Sequence, residues 1–321
     1  MENYKPALVL LMFLAGCSQP AVNNPVPASN GEALTASIAI WQSEKNRSVV
    51  EKTSRLIDKT NAFLDAEMDD RSAWQTAWLE AHDMWLAASI LRKPDESALK
   101  DIDAWPLEPG FLDSLPDYPT TGIVNDVTLA LKSDVIRQQN QYTDDVEVSL
   151  GFHVIEYYAF SRDPDDMLLA DRHNSERRRL MIRLIAGLLM LDLLNFSSSP
   201  AIQPSSPLEL LTRLHQRSQA IFSELNRLGE HSQSSGKSLH NVTVQLAAIE
   251  ALLQDPVSLN HYLIELDPGK TETLNSSLKE AIALSRDIGN DDQSSVSRVL
   301  LLISAVSHQF EDLITLGKGE L

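Results

Sequence analysis

Apolar residues along this chain return at intervals of three and four, not two, in one helix-length stretch after another. That period gathers them on one face of an α-helix and would scatter them over both faces of a strand. The spacing predicts helices over 37–64, 71–91, 125–139, 145–160 and 175–196. Beyond a break it predicts further helices over 208–228, 239–254, 271–288 and 294–316. Only 12 glycines occur in 321 residues, and the apolar positions are mostly Leu, Ala and Ile, a composition that leans towards helix. Striped helices bury their stripes against one another, so the expected class is all-α.

The break is Ser197–Pro207 (SSSPAIQPSSP), where three prolines and five serines cannot continue a helix. It separates 35–196 from 208–321, and each part has the helices that a four-helix bundle needs. The expected architecture is therefore two helical bundles joined by a polar linker over 197–207. Within the first, Trp74, Trp78 and Trp85 share one helix face and read as core. Asp101–Gly122 (DIDAWPLEPGFLDSLPDYPTTG) holds four prolines, which exclude a long helix. Its Trp105, Phe111 and Tyr118 supply apolar anchors, so it should lie ordered over a surface. Asp144, with Glu147 three residues on, reads as the cap of the helix over 145–160.

The N-terminus has the layout of an export signal. One cation, Lys5, precedes the apolar run Ala7–Leu14, which is too short to span a bilayer ~30 Å thick. Leu14-Ala15-Gly16-Cys17 follows and resembles a bacterial lipobox, which implies cleavage after residue 16 and lipidation of Cys17, the single cysteine. Acyl chains at ~0.8 kcal/mol per buried CH2 would hold the mature protein on a membrane. Residues 17–34, rich in Pro, Asn and Ser, read as a flexible tether. Ser18 after the cysteine is similar to lipoproteins sorted to the outer membrane.

Lys plus Arg number 27 against 45 Asp plus Glu, for a formal charge of −18. Such a surface repels phosphate backbones and excludes nucleic acid as a partner, while it concentrates cations. There is no glycine-rich phosphate loop, no nucleophile elbow and no His-Glu-x-x-His.

The chemistry-bearing pattern is His-x-x-Glu, which sets an imidazole and a carboxylate one turn apart on a helix face. With eight histidines, roughly one His-x-x-acid is expected by chance. Three occur. His173 with Glu176 and His308 with Glu311 sit among other charges and read as surface pairs. His153 and Glu156 instead lie in Val148–Ser161 (VSLGFHVIEYYAFS), where no other side chain charges near neutrality. A buried carboxylate without a partner costs several kcal/mol, so Glu156 must be paired, protonated or bound to a metal. Mutual satisfaction of the two side chains remains open on these residues alone. Gly151 marks a place where another backbone or a ligand approaches closely.

With GFHVIE, the preceding loop DIDAWPLEPGFLD and the helix AWQTAWLEAHDMW, the chain resembles the imelysin family of bacterial envelope proteins, marked by Gly-x-His-x-x-Glu. The resemblance runs from about Trp74 to Leu194. It implies two helical bundles, an extracytoplasmic location, a link to iron uptake, and a metal site at Gly151, His153 and Glu156. Family members were first described as insulin-cleaving peptidases, and many are viewed as metal binders. Zinc peptidase helices carry two His ligands and a Glu base, and His153-Val-Ile-Glu156-Tyr157 offers no second His. Two ligands are too few for a tight site, and His82 and Asp103 are the next candidates. The expected function is capture of a transition metal, iron first and zinc second, by a membrane-anchored protein working beside another envelope iron-uptake protein. A metallopeptidase and a purely structural lipoprotein are the rivals.

Overall fold

The computed structural model describes residues 29–65, 71–93, 96–115, 117–160, 174–200, 202–254, 259–288 and 292–319. Signal residues 1–16, Cys17 and most of the tether therefore lie outside the described residues, as does His173. Among the described residues the chain is all-α, with one isolated bridge between Leu115 and Tyr118.

The first bundle is a closed ring: α1 (Ser29–Asp65) packs on α2 (Arg71–Ala88), α2 on α6 (Phe152–Phe160), α6 on α7 (Ser175–Ser198), and α7 on α1. The second ring runs α8 (Pro207–Asn226), α9 (Ser238–Leu253), α11 (Pro268–Asp287), α12 (Gln293–Lys318) and back to α8, with α10 (Leu259–Leu266) against α9, α11 and α12. Each ring has its own apolar core. Trp74, Trp78 and Trp85 are all in the first, as their stripe predicts. The helices of the second start close to where the apolar period starts, with the side chains of Ser206, Asp267 and Asp292 capping α8, α11 and α12.

α1 serves both cores. It begins at Ser29, inside the stretch read as tether, and buries Leu34 and Ile38 in the second core. Thr35 Oγ1 donates to Pro204 O at 3.0 Å and Gln42 Oε1 accepts from Ile202 N at 2.8 Å, so α1 also fixes the linker. α2 touches α9, which brings the two rings side by side. Helices α7 and α12 are long and apolar enough to cross a membrane, but each buries one face in its ring.

Two predicted helices are shorter than their patterns. The helix expected over 125–139 survives only as α5 (Ser133–Gln139). Asp126 Oδ1 accepts from Thr128 N at 2.9 Å and Thr128 Oγ1 at 2.6 Å. Asn125 Nδ2 donates to Thr121 O at 2.6 Å. Side chains that bond their own backbone in this way compete with helix and win here. The helix expected over 145–160 starts only at Phe152. The Asp144 and Glu147 pair does form, with Val146 N on Asp144 Oδ1 at 3.1 Å and Asp144 N on Glu147 Oε2 at 3.3 Å, but it caps a turn. Ser149 is then drawn aside by Asn140 Oδ1 and Ile136 O, and the chain enters α6 through Gly151 at φ +84°.

Between α2 and α6 the described residues form only the one-turn helices α3 (Ser97–Lys100) and α4 (Pro109–Leu112), and α5. The proline-rich loop is ordered and tied down at Asp113. That buried carboxylate accepts from Arg178 Nε at 2.5 Å and Nη2 at 2.7 Å, and from Tyr158 Oη at 3.1 Å. This strap holds the loop against α6 and α7, and with it the segment that leads to the site.

Candidate metal centre

Four side chains from separate parts of the chain meet at the junction of the rings. His82, Asp103, His153 and His231 each offer one ligand atom, and these atoms lie within 4.8 Å of one another. Asp103 Oδ1 stands 3.1 Å from His82 Nε2, 3.0 Å from His153 Nε2 and 3.7 Å from His231 Nε2. The three imidazoles are at most 3 % exposed.

Each donor is placed by local chemistry. His82 lies on the buried face of α2, stacked on Trp78 at 4.7 Å between ring centroids. Trp78 Nε1 donates to Phe152 O at 2.8 Å, which locks α2 to the start of α6. Asp103 follows α3, whose last turn is continued by Ile102 N and Asp103 N on Leu99 O. Ile102 O accepts from Phe152 N at 2.9 Å. A Cβ on Gly151 would fall 2.4 Å from that carbonyl, so only glycine lets the Asp103 segment lie against the N-terminus of α6. Gly151 is thus the point of close approach that the sequence marks. Asp101 adds a second anchor, accepting from Arg137 Nη1 at 2.5 Å and Asn140 Nδ2 at 3.1 Å.

His153 and Glu156 are indeed a turn apart on α6, and both are buried. Glu156 Oε2 lies 2.7 Å from His153 Nδ1, and Oε1 accepts from Ser235 N at 2.7 Å. The structure brings Glu156 against the back of the imidazole rather than into the converging four. It fixes the ring so that Nε2 points at Asp103.

His231 carries the site into the second ring, and sequence reasoning passed it over. It sits in the turn between α8 and α9, in a Gly- and Ser-rich segment that reads as surface loop, yet it is 2 % exposed. Glu224, at the end of α8, binds His231 Nδ1, and Gln245 Nε2 of α9 donates to Glu224 at 2.7 Å. Trp105 stacks on the imidazole at 4.8 Å and 9°. His231 lies beyond Asn226, where α8 ends, so no helical stripe of side chains reaches it. Its Nε2 is buried and has no hydrogen-bond partner among the described residues.

Electrostatics follow from this frame. Burial pushes the His82 imidazole down, so it is neutral and able to donate a lone pair. Burial alone would raise the Asp103 carboxyl, but the surrounding imidazoles hold it well below the ordinary range. Burial opposes the charged form of His153 too, and its bonds to Asp103 and Glu156 outweigh that and raise it. For His231 the same opposition is overcome by Glu224 and Asp103, which push it up to about 10. Glu156 and Glu224, which burial would raise, are held down by His153 and His231 respectively. Near neutral pH the site thus stores carboxylate charge balanced by imidazolium protons, and a bound cation would replace those protons.

The donor set suits such an ion. Three imidazoles with one carboxylate match iron, manganese, cobalt or zinc better than calcium or magnesium, which favour all-oxygen sites. Carboxylates behind two of the imidazoles are the usual support of a metal-binding histidine. The other sequence pairs go elsewhere. His308 and Glu311 are 3.6 Å apart on the surface, 77 % and 64 % exposed in their side chains.

Two closed helical rings with a His/Asp cluster at their junction define a bilobed all-α protein with a candidate cation site. The family model described as Imelysin (Peptidase_M75) matches residues 44–309, and the chain belongs to the imelysin family. Among solved structures it is similar to an imelysin-like protein from Psychrobacter arcticum 273-4, with a TM-score of 0.67 and 15% identity over 91% of this chain and 97% of that one. It is also similar to a protein from Parabacteroides distasonis ATCC 8503 described as an iron-regulated protein A precursor, with a TM-score of 0.67 and 10% identity over 92% and 98% of the two chains. No curated protein matches the chain.

Proposed function

We propose that this protein binds a transition-metal ion, iron in the first place, at His82, Asp103, His153 and His231, and serves iron acquisition in the bacterial envelope. The observation that carries the reading is the convergence of three imidazole nitrogens and a carboxylate within 4.8 Å, two of the imidazoles backed by Glu156 and Glu224. A buried imidazole nitrogen with no hydrogen-bond partner among the described residues, His231 Nε2, supports it further. Iron is preferred over zinc because one structural relative is described as iron-regulated; ligand type alone does not separate them. Membership in the imelysin family and the lipobox at Leu14–Cys17 support an envelope location, with lipidated Cys17 as anchor, the outer membrane as its site and an iron-uptake protein as partner.

Binding without turnover is favoured over peptidase chemistry. Glu156 is the acid nearest to a general base, and both of its oxygens are engaged, by His153 and by Ser235 N. Metal analysis of residues 29–321 beside His153→Ala and His231→Ala tests the reading. Stoichiometric metal in the parent and none in either variant is expected. Equal metal in all three removes it. Digestion of a peptide library that chelator abolishes and metal restores would replace the binder with a peptidase.

A further inference from the structure

Beside the metal cluster, on the α8 side, is a cavity of about 270 Å³ whose lining includes Trp85, Ser89, Trp105, Arg217, Glu224 and His231, with Asp103 at its edge. Its walls hold donors that the protein leaves unused. Trp85 Nε1 and Arg217 Nε are both buried and have no hydrogen-bond partner among the described residues. Neither group can accept a hydrogen bond, so each needs an acceptor. Arg217 Nε is buried without a hydrogen bond while the residue as a whole is half-buried at the cavity wall, which leaves its guanidinium open to a ligand there.

Glu224 and Asp103 favour the charged form of Arg217 through space, but neither is recorded in a hydrogen bond with it among the described residues. Glu224 is spent on His231 and Gln245, and Asp103 Oδ1 on His82 and His153. Arg213, one turn earlier on α8, shows the ordinary alternative: its Nη2 pairs with Glu209 at 2.9 Å on the surface. Arg227 adds a second positive charge at the cavity, its guanidinium over Trp105 at 4.7 Å and its Nε on Glu230 at 2.7 Å. The missing partner must therefore bring acceptor oxygens and negative charge. Flat aromatic walls and the forked geometry of a guanidinium favour a planar carboxylate over a tetrahedral anion.

We propose that this cavity is an oxyanion subsite that holds a small carboxylate against Arg217 and Trp85, with its far end turned to His231 and Asp103. The ion would then be taken as a metal–carboxylate unit; that coupling rests on the metal-binding reading above, whereas the anion subsite does not. A carboxylate with a second oxygen two atoms away reaches both the guanidinium and an ion among the imidazoles, which makes oxalate the simplest probe.

Oxalate binding to metal-free residues 29–321 is followed by calorimetry and by tryptophan fluorescence, with Trp85 and Trp105 as reporters. Saturable binding at one site is expected. Arg217→Met should weaken it at least tenfold, Trp85→Phe two- to fivefold, and Arg213→Met not at all. Because Arg217 Nε has no hydrogen bond to lose among the described residues, Arg217→Met should melt close to the parent, whereas an arginine held by structural hydrogen bonds would cost stability on removal. Zinc, present at saturation, should tighten oxalate at least tenfold in the parent and not in Arg217→Met. Oxalate binding that is absent, or indifferent to Arg217→Met and Trp85→Phe, overturns the subsite and means that water alone fills the cavity. Inorganic phosphate binding tighter than oxalate overturns the carboxylate assignment. Oxalate bound through Arg217 in a protein that takes no metal would leave the subsite standing and defeat the metal reading alone.

Discussion

The two rings solve the same packing problem with different economy. In the second, the helices α8 to α12 come in succession along the chain, and all five contribute to one apolar core. In the first, the long segment between α2 and α6 breaks the succession and brings in buried polar groups, Asp103, Asp113 and Ser149 among them. Its three ligands come from α2, this segment and α6. The second ring gives one ligand, His231, from a turn. A site assembled in this way asks the irregular ring to supply donors and the regular ring to close the set.

Several substitutions break or sharpen that contrast. Gly151→Ala should be the most damaging, because the added Cβ meets a backbone carbonyl at 2.4 Å and φ is +84°. A loss of about 4 kcal/mol, read from urea unfolding, is expected for the clash and the strained backbone together. Gly236→Ala, between α8 and α9, has φ +69° but open space around it, and should cost only about 1 kcal/mol. Equal losses would mean that the two connections are held alike.

His231→Ala should lower metal affinity by about 100-fold or more, measured by competition with a chromophoric chelator. A change within twofold would confine the site to the first ring. Next in size, Glu156→Gln and Glu224→Gln should each cost about 10- to 100-fold, since each carboxylate orients one imidazole. A large loss from only one of them would show which ring holds the ion.

Metal uptake should release protons, and affinity should rise with pH from about 6 towards 10, because His153 and His231 are raised and must deprotonate to bind. Without metal the sign reverses for stability. A folded-state value of about 10 for His231 against about 6.5 unfolded gives a contribution fully present below the latter and lost as pH rises through the former. Thermal melts with chelator present should therefore decline over that window, and the decline should be smaller in His231→Ala, where the raised His153 alone remains. Smallest of all, His308→Ala on the exposed face of α12 should leave metal content and affinity unchanged.

Much of this was legible in the sequence, for reasons particular residues make plain. Periodicity carried the fold because helical stripes are local, and α8, α9, α11 and α12 fall close to their patterns, whereas the short α10 was not foreseen. It overran at 125–132 and 145–151, where Asp126, Asn125 and Ser149 bond to nearby backbone, a competition that apolar spacing does not register. His153 and Glu156 stood out because a charged pair in an oily helix is conspicuous, and His82 and Asp103 came in because two ligands are too few for a tight site. His231 was hidden. Its burial is created by Trp105, more than a hundred positions away, stacking over a turn whose own composition reads as solvent-exposed.

X-ray absorption of the zinc- or iron-loaded protein tests the central claim most directly, because it counts imidazoles on the ion. The account predicts three histidine ligands with a carboxylate oxygen, falling by one imidazole in His231→Ala. An ion ringed by oxygens alone, or a histidine count that His231→Ala leaves untouched, would contradict it.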